Sequence, residues 1–467
     1  MFKFIKDFLI YGVASILAKI VGVILMPIYT SILTKEEYGS MAIILACKGI
    51  IDLLSNLNIH SGIARDYYEE DVNRKQLVST GLYSIFGCSL LVLSFMLITK
   101  DIWVNILEIP NYKTAFILAI LTIPAGSLLS YFSILTRFKK KPILYSIATL
   151  LQLGTQISIS IYGVVFLRAG IESVFWGVLI GEIVGIIFLY FINHSLFAFT
   201  FNPHYLKKAL KYSLPTLPAI MANWIDSSVG QILIGKYISI DELGVYSIAL
   251  QFVSIFSLIS IALQNVWGPF LYENYKKNNF IQNVSTLYIS LILLLITVSV
   301  SISILSKELI LFLSNVQYLN ASFYLTLLCI PSCIYLLFPI VSSGISITRD
   351  TKYIGIAYCI GSGLNLLSLL IFIDKFGIIT VPISLAISRI VSFNILYYVS
   401  KHKNILILPN IYIILLIISI IGCYCLLFLN LNIYIRILLV ITINLLIFYK
   451  VSNYIDFKYI LRKKNAQ

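Results

Sequence analysis

The sequence predicts an all-α integral membrane protein with about 14 transmembrane helices. Apolar residues make up 59% of the 467-residue chain, charged residues only 12%, and the mean hydropathy is +0.95. Apolar stretches of bilayer-spanning length, about 20 residues, follow one another almost from end to end. Only helices or closed barrels satisfy every backbone polar group in lipid, and these stretches lack the strict alternation of barrel strands. The polar connections are too short to hold a soluble catalytic domain.

The predicted helices follow in order along the chain, with ends set by the change from apolar to polar residues. The first follows Lys3 and Lys6 and lacks a small-residue cleavage site, so we interpret it as a retained helix rather than a signal peptide. Six helices precede a basic connection at residues 194–211, and eight follow it. The predicted spans are 8–33, 39–59, 77–99, 114–136, 143–166, 171–193, 213–235, 243–267, 282–305, 318–345, 353–373, 377–399, 409–430 and 433–452.

The formal charge of +14 is unevenly distributed between alternate connections. Most of the Lys and Arg residues fall on the side that carries the N-terminus, including the run 137–141 and the tail after the last helix. This is the positive-inside pattern, and it predicts that both termini are cytoplasmic. The basic excess is therefore explained by topology, with anionic membrane lipids as a secondary partner, and nucleic acid is not expected to bind.

Two short similarities suggest that the chain contains two related halves. Residues 34–41 resemble 240–246, and residues 134–137 resemble 346–349, each pair lying six predicted helices apart. Parallel repeats of this kind build two lobes around a central substrate site in transporters. We expect an N-terminal lobe at residues 1–200 with helices 1–6 and a C-terminal lobe at 201–404 with helices 7–12, related by pseudo-two-fold symmetry. Helices 13 and 14 and a basic cytoplasmic tail would occupy residues 405–467.

Several motifs resemble the polysaccharide transporter family, the O-antigen and capsule repeat-unit flippases of the multidrug/oligosaccharidyl-lipid/polysaccharide exporter superfamily. They are LTKEEYG at residues 33–39, YSLPTLP at 212–218, WID at 224–226, ELGVYS at 242–247, WGPFLYE at 267–273 and ITRDTK at 347–352. The resemblance implies a multi-pass flippase in the bacterial cytoplasmic (inner) membrane. Its substrate would be a polyprenyl-diphosphate-linked oligosaccharide used in polysaccharide or lipopolysaccharide biosynthesis, and polysaccharide polymerase machinery would be a partner. Such transport needs no covalent step, so we expect neither enzyme activity nor a cofactor.

Six ionisable residues lie inside predicted spans, away from the span ends. Each would cost roughly 2.5–3.5 kcal/mol at a lipid-facing helix centre, so the six must face one another or a hydrated cavity. The six residues are Lys19, Lys48, Asp52, Glu182, Asp226 and Arg389.

The three cations are candidate substrate-binding residues. A polyprenyl diphosphate is anionic where the sugar joins the lipid, and cations in a low-dielectric cavity would hold it. Arg389 offers a bidentate guanidinium, whereas Lys19 and Lys48 offer point charges. The alternatives are structural: Lys48 and Asp52 are four residues apart and suit an intrahelical ion pair, and Lys19 or Arg389 would pair with Glu182 or Asp226.

The three carboxylates have two possible roles. Asp52, Glu182 or Asp226 would take up and release H⁺, or bind Na⁺, if burial and a nearby cation balance each other. Alternatively, the carboxylates are fixed countercharges to the cations. No metal site is expected: the seven cysteines lie in apolar spans, and neither of the close pairs, Cys329/Cys333 and Cys423/Cys425, has a His or carboxylate nearby.

Two other functions remain open at this stage. An ion-coupled multidrug exporter of the same superfamily would favour a cavity of net negative charge, whereas the six buried residues comprise three cations and three carboxylates. A membrane polysaccharide polymerase would need a sizeable extracytoplasmic loop for its chemistry, and the predicted outward loops near residues 100–113 and 306–317 are short.

Overall fold

The computed structural model describes residues 21–69, 71–277, 280–348, 350, 352–402, 411–429 and 432–454. Within these residues the secondary structure is helical. The helices are α1 (Val21–Ile32), α2 (Lys35–Asn56), α3 (Ile59–Asp66), α4 (Arg74–Ile106), α5 (Lys113–Phe138), α6 (Pro142–Ile161), α7 (Glu172–Asn193), α8 (Pro203–Ser213), α9 (Leu217–Trp224), α10 (Gly230–Tyr237), α11 (Ile240–Val253), α12 (Ile255–Asn274), α13 (Phe280–Ile304), α14 (Ser306–Leu313), α15 (Ala321–Leu336), α16 (Phe338–Val341), α17 (Ser343–Ile347), α18 (Lys352–Phe376), α19 (Thr380–His402), α20 (Ile411–Leu426) and α21 (Ile433–Tyr454). The predicted all-α membrane class is therefore confirmed.

The described residues contain nine helical segments that are long and apolar enough to cross a membrane. One of them, Lys352–His402, runs over 51 residues and includes both α18 and α19, joined by a short 3₁₀ turn. Shorter apolar helices lie at Val21–Ile32, Ile413–Leu426 and Ile433–Ile447. The total of fourteen spans and the pseudo-two-fold symmetry stay predictions.

Local sequence signals explain where several helices begin. Thr34 and Glu37 form a capping box at α2, in which the Thr34 side chain accepts from the Glu37 N–H and Glu37 accepts from the Thr34 N–H. Asn73 caps α4 and Asn202 caps α8 through their side-chain oxygens. These caps satisfy N–H groups that the first helical turn leaves without partners.

Two connections predicted as merely polar are partly helical. The connection at residues 60–76 contains most of α3, which follows Leu57 and Asn58, two residues with a left-handed backbone conformation. The connection at residues 194–211 contains most of α8. The two short helices pack together closely, because a Cβ on Gly62 of α3 would lie 2.6 Å from the Ala209 Cα of α8. The predicted span at 213–235 is also interrupted: a 3₁₀ turn precedes α9, and a π-turn at Ile225–Val229 joins α9 to α10.

The chain forms two compact units, Met1–Ser247 with Ile373–Gly377 and Ile248–Phe372 with Ile378–Gln467. The expected lobe limits at residues 200 and 404 stay predictions.

Unit 1 is held together by close helix crossings at small residues. A stripe on α7 packs against α6: a Cβ on Gly177 would meet the Gln156 carbonyl oxygen at 2.6 Å, and one on Gly181 would meet that of Gln152 at 2.7 Å. Gly39 of α2 lies against the Ile240 carbonyl of α11 in the same way. Small residues allow such backbone contact in membranes, where packing replaces the hydrophobic effect.

Unit 2 is centred on α15, which packs against α13, α19 and α20. Ser400 of α19 donates to the Val341 carbonyl at 2.6 Å. A partly buried ion pair joins α14 to α21, with Arg436 Nη1 2.9 Å from Glu308 Oε1. This pair was not predicted from the sequence, because Arg436 lies near the end of its predicted span and Glu308 lies outside one.

Candidate functional site

Lys48 and Asp52 form an ion pair on one face of α2. Lys48 Nζ lies 2.7 Å from Asp52 Oδ2, and the two side chains are 13% and 36% exposed. The predicted i, i+4 contact is thus confirmed, while its role in transport is not decided by the contact. Asp52 Oδ1 is buried and, within the described residues, has no hydrogen-bond partner. The pair therefore keeps one carboxylate oxygen available to a proton, a cation or water.

Glu182 of α7 lies close to this pair. Its side chain is buried, and its Oε1 faces the backbone of α5, where a Cβ on Gly126 would come within 3.2 Å. Glu182 interacts electrostatically with both Lys48 and Asp52. In the described part of the chain, its Oε2 is buried and accepts no hydrogen bond. Unit 1 therefore assembles one cation and two carboxylates, a group with a formal charge of −1.

Polar contacts fix the helices that carry this group. Ser55 of α2 bonds to Ser127 of α5 at 2.9 Å, one residue beyond Gly126. The glycine stripe packs α7 on α6, and Glu182, which directly follows Gly181, faces α5 instead. The close approach at Gly126 leaves room for a carboxylate that a larger residue would displace. We call Lys48, Asp52 and Glu182 the α2–α7 charge group.

Asp226 lies in the π-turn between α9 and α10 and is buried. The preceding helix is tied to α2, since Trp224 Nε1 donates to the Ala46 carbonyl at 3.0 Å. A π-turn in a helix inserts an extra residue and often accompanies a functional site. The structure thus places this carboxylate on an irregular helix that packs against α2.

Arg389 belongs to unit 2, where α19 carries it into a buried aromatic environment. Its Cζ lies 4.4 Å from the centre of the Tyr335 ring and 5.9 Å from that of Phe338. The side chain is 7% exposed. Cation–π contacts of this kind hold a guanidinium in a defined orientation. Sequence reasoning missed both aromatic partners, because no sequence spacing links α15 and α16 to α19.

The remaining candidate, Lys19, lies outside the described residues. Within the described residues, no three His, Cys, Asp or Glu side chains come together in a way that would hold a metal ion. The described candidates offer electrostatic interactions: binding of an anion by Lys48 or Arg389, and binding of a proton or cation by the carboxylates.

The sequence matches the family described as polysaccharide biosynthesis protein over residues 28–323, which is more than half of the chain. No curated protein matches it significantly.

Solved structures give the fold. The chain is similar to the lipid II flippase MurJ in an inward closed conformation, with a TM-score of 0.76 and 17% identity over 95% of this chain and 99% of that one. It is also similar to MATE family multidrug resistance transporters of the MOP superfamily. An inward-facing structure gives a TM-score of 0.63 at 14% identity over 84% of this chain and 94% of that one. An outward-facing structure gives 0.59 at 13% identity over 84% and 93%.

Five of the six motifs noted in the sequence fall within the region that the family matches, which confirms the resemblance they suggested. The protein is therefore a multi-pass membrane protein that belongs to the polysaccharide biosynthesis protein family.

Proposed function

We propose that this protein is a flippase for a polyprenyl-diphosphate-linked oligosaccharide, the repeat unit of an O-antigen or capsule. The observation that carries the proposal is family membership over residues 28–323, together with a MurJ-like fold along 95% of the chain. MurJ is itself a flippase, acting on lipid II. No chemical step is assigned to the protein, which we regard as a transporter and not an enzyme.

The proposed mechanism is alternating access. MATE transporters with this fold have been solved in inward-facing and outward-facing conformations, which supports a similar exchange in this chain. Lys19, Lys48 and Arg389 would hold the anionic diphosphate, because a cation in a low-dielectric site binds phosphate strongly. The prenyl chain would stay in the lipid while the sugar crosses. The two six-helix lobes predicted at residues 1–200 and 201–404 would be the moving parts.

We propose that an ion gradient drives the transfer through Asp52, Glu182 or Asp226. Support comes from the α2–α7 charge group, in which Glu182 Oε2 and Asp52 Oδ1 are buried and, within the described residues, have no hydrogen-bond partner. A buried carboxylate of this kind favours a proton or cation strongly. The competing role, a fixed countercharge to Lys48, predicts that the neutral variant Glu182→Gln transports normally.

The proposed location is the bacterial cytoplasmic membrane with both termini in the cytoplasm. The distribution of Lys and Arg between connections supports this orientation. Membrane lipids and polysaccharide polymerase machinery are the proposed partners.

The function is tested by the fate of the lipid-linked repeat unit in a deletion strain. Wild type, Lys48→Ala, Arg389→Ala and the control Lys276→Ala, an exposed residue after α12, would be expressed at equal membrane levels. We expect repeat units to accumulate on the cytoplasmic face without the protein and to be cleared by wild type and Lys276→Ala alone. Full clearance by Lys48→Ala and Arg389→Ala would refute the assignment of these residues to the substrate site, while the flippase function would still stand. If the deletion strain kept an unchanged amount of surface polysaccharide, the flippase proposal would be refuted.

The second candidate function is ion-coupled multidrug export, which the similarity to MATE transporters favours. The two carboxyl groups of the α2–α7 charge group suit a cationic drug, whereas the buried Arg389 suits an anion. Export of a cationic dye from a drug-hypersensitive strain would distinguish the two functions. Dye export that stops in Glu182→Gln, with normal surface polysaccharide, would favour the drug exporter.

A further inference from the structure

The connection between α7 and α8 has an unusual environment for a water-exposed loop. Phe199 is 102% exposed and Phe201 49% exposed, and both precede the basic helix α8. Large exposed aromatic residues in a soluble loop would face water at a cost, whereas aromatic residues are enriched where a membrane protein meets the lipid interface. We call residues 197–202 the Phe segment.

The Phe segment packs along the side of α4 and does not extend past the N-terminal end of that helix. The Ala198 N–H donates to Ser79 Oγ at 2.7 Å, and the Tyr83 hydroxyl donates to the Ala198 carbonyl at 3.4 Å. The Asn202 N–H donates to Thr80 Oγ1 at 3.0 Å. These three bonds fix the level of the segment along a helix that is long and apolar enough to cross the membrane.

The three α4 residues that hold the segment lie within the predicted span at residues 77–99. Arg74 and Lys75 begin α4 and mark its basic end, as expected at a membrane surface. At 1.5 Å per residue, Ser79 lies about 7 Å and Tyr83 about 13 Å further along the helix axis. Interfacial elements bury their apolar side about 5–10 Å into the boundary between headgroups and acyl chains. The Phe segment is therefore at the right level for such an element.

The hydrogen bonds of the segment fit the same environment. Irregular backbone in contact with lipid must find partners for its N–H and C=O groups, because lipid offers none. Ser79, Thr80 and Tyr83 supply such partners to the backbone of the Phe segment. The Phe197 ring packs inward, stacked on Tyr190 with centroids 6.1 Å apart, and anchors the segment to α7.

Helix α8 adds a basic surface next to the two exposed phenylalanines. Ala209 packs on α3, while Lys207 and Lys211 are exposed. Lys208 is already engaged, with its Nζ 2.7 Å from Glu69 Oε2 and 3.3 Å from Asp66 Oδ1. Lys207 and Lys211 therefore remain for anionic headgroups, whose surface potential attracts basic segments.

We propose that residues 197–211 form an interfacial anchor that binds the anionic surface of the bilayer. Phe199 and Phe201 insert among the acyl chains, and Lys207 and Lys211 lie at the level of the lipid phosphates. The proposal depends on the chain crossing a membrane but not on what it transports, so its failure would leave the flippase proposal untouched.

The test is a depth measurement on the full chain in lipid nanodiscs. A nitroxide would be attached at Phe199→Cys or Phe201→Cys in a variant whose seven native cysteines are replaced. Its accessibility to oxygen, which concentrates in lipid, is compared with that to a water-soluble nickel complex. The lipid reference is Ile98→Cys, 83% exposed on α4, and the water reference is Asp71→Cys, an exposed position before α4.

We expect positions 199 and 201 to match the profile of Ile98→Cys in nanodiscs with anionic phosphatidylglycerol. With phosphatidylcholine alone, or in the Lys207→Gln/Lys211→Gln variant, the oxygen-to-nickel accessibility ratio should fall at least twofold. A profile like that of Asp71→Cys would overturn the anchor. A lipid-like profile that ignores both lipid charge and the lysine changes would overturn the anionic specificity. Shielding seen in native membranes but not in pure-lipid nanodiscs would assign the surface to a protein partner and overturn the proposal.

Discussion

Replacing Lys48 with methionine is expected to destabilise unit 1 because Asp52 would lose its ion-pair partner. Lys48 Nζ lies 2.7 Å from Asp52 Oδ2 and interacts electrostatically with Glu182. Methionine retains the apolar stem but removes the charge, so Asp52 loses the cation that pairs with it. Loss of one partner from a buried ion pair costs about 3–5 kcal/mol. Because the Asp52 side chain is 36% exposed, we expect a smaller loss of about 2–3 kcal/mol.

The assay is reversible unfolding of the purified protein in mixed micelles titrated with SDS, which gives a free energy of unfolding. Lys276→Met is the matched control, because Lys276 is exposed after α12. Adding Asp52→Asn to Lys48→Met should restore part of the loss, since the surplus carboxylate is neutralised. A coupling free energy of about 0.5–3 kcal/mol is typical of residues in contact.

The reasoning would be refuted by two results together. One is a Lys48→Met protein as stable as Lys276→Met. The other is strict additivity of the Lys48→Met and Asp52→Asn effects. Both would mean that the 2.7 Å contact carries no net free energy and that solvent or lipid headgroups already neutralise each charge.

Three further outcomes are expected. Gly177→Ala should lose about 1–3 kcal/mol of unfolding free energy through overpacking, because its methyl group would collide with α6, whereas Gly154→Ala has open space and should lose none. Arg389→Lys should lower transport roughly two- to thirtyfold, the range expected if cation–π stacking worth about 0.5–2 kcal/mol is lost. Burial and the nearby Arg137 charge lower the pKa of His60. The unfolded chain therefore takes up the proton first, and stability should fall as the pH drops below about 6.5. The acid-induced fall should be smaller in His60→Gln, measured by thermal unfolding at pH 7.5 and 5.5, conditions chosen to bracket about 6.5.

Each of these outcomes has a clear contradiction. Equal unfolding free energies for the two glycine variants would mean that α6 and α7 separate easily. Full transport by Arg389→Lys at equal expression would show that charge alone suffices there. The same acid-induced destabilisation in wild type and His60→Gln would assign the effect to other groups.

The sequence alone predicted the helical membrane class. A bilayer allows few backbone structures, and the length of each apolar stretch can be counted directly along the chain. It also predicted the contact between Lys48 and Asp52, since residues four apart share a helix face whatever surrounds them. The family resemblance was readable for a similar reason, as its motifs are short contiguous segments.

Prediction was weaker where backbone geometry departs from regular helix. The span 213–235 was predicted as one continuous helix, whereas a 3₁₀ turn and the π-turn that carries Asp226 interrupt it. The helical character of α3 and α8 was also missed, because short amphipathic helices look like polar connections when hydropathy is averaged.

Tertiary structure decided which distant residues meet. Glu182 reaches the Lys48–Asp52 pair only because α7 packs through its glycine stripe and Gly126 leaves space on α5. Arg389 meets Tyr335 and Phe338 for the same kind of reason. The sequence determines which residues cannot face lipid, since that follows from the charge of each one. Their partners depend on how the helices cross, because close packing depends on residue volumes and backbone contacts that no single segment contains.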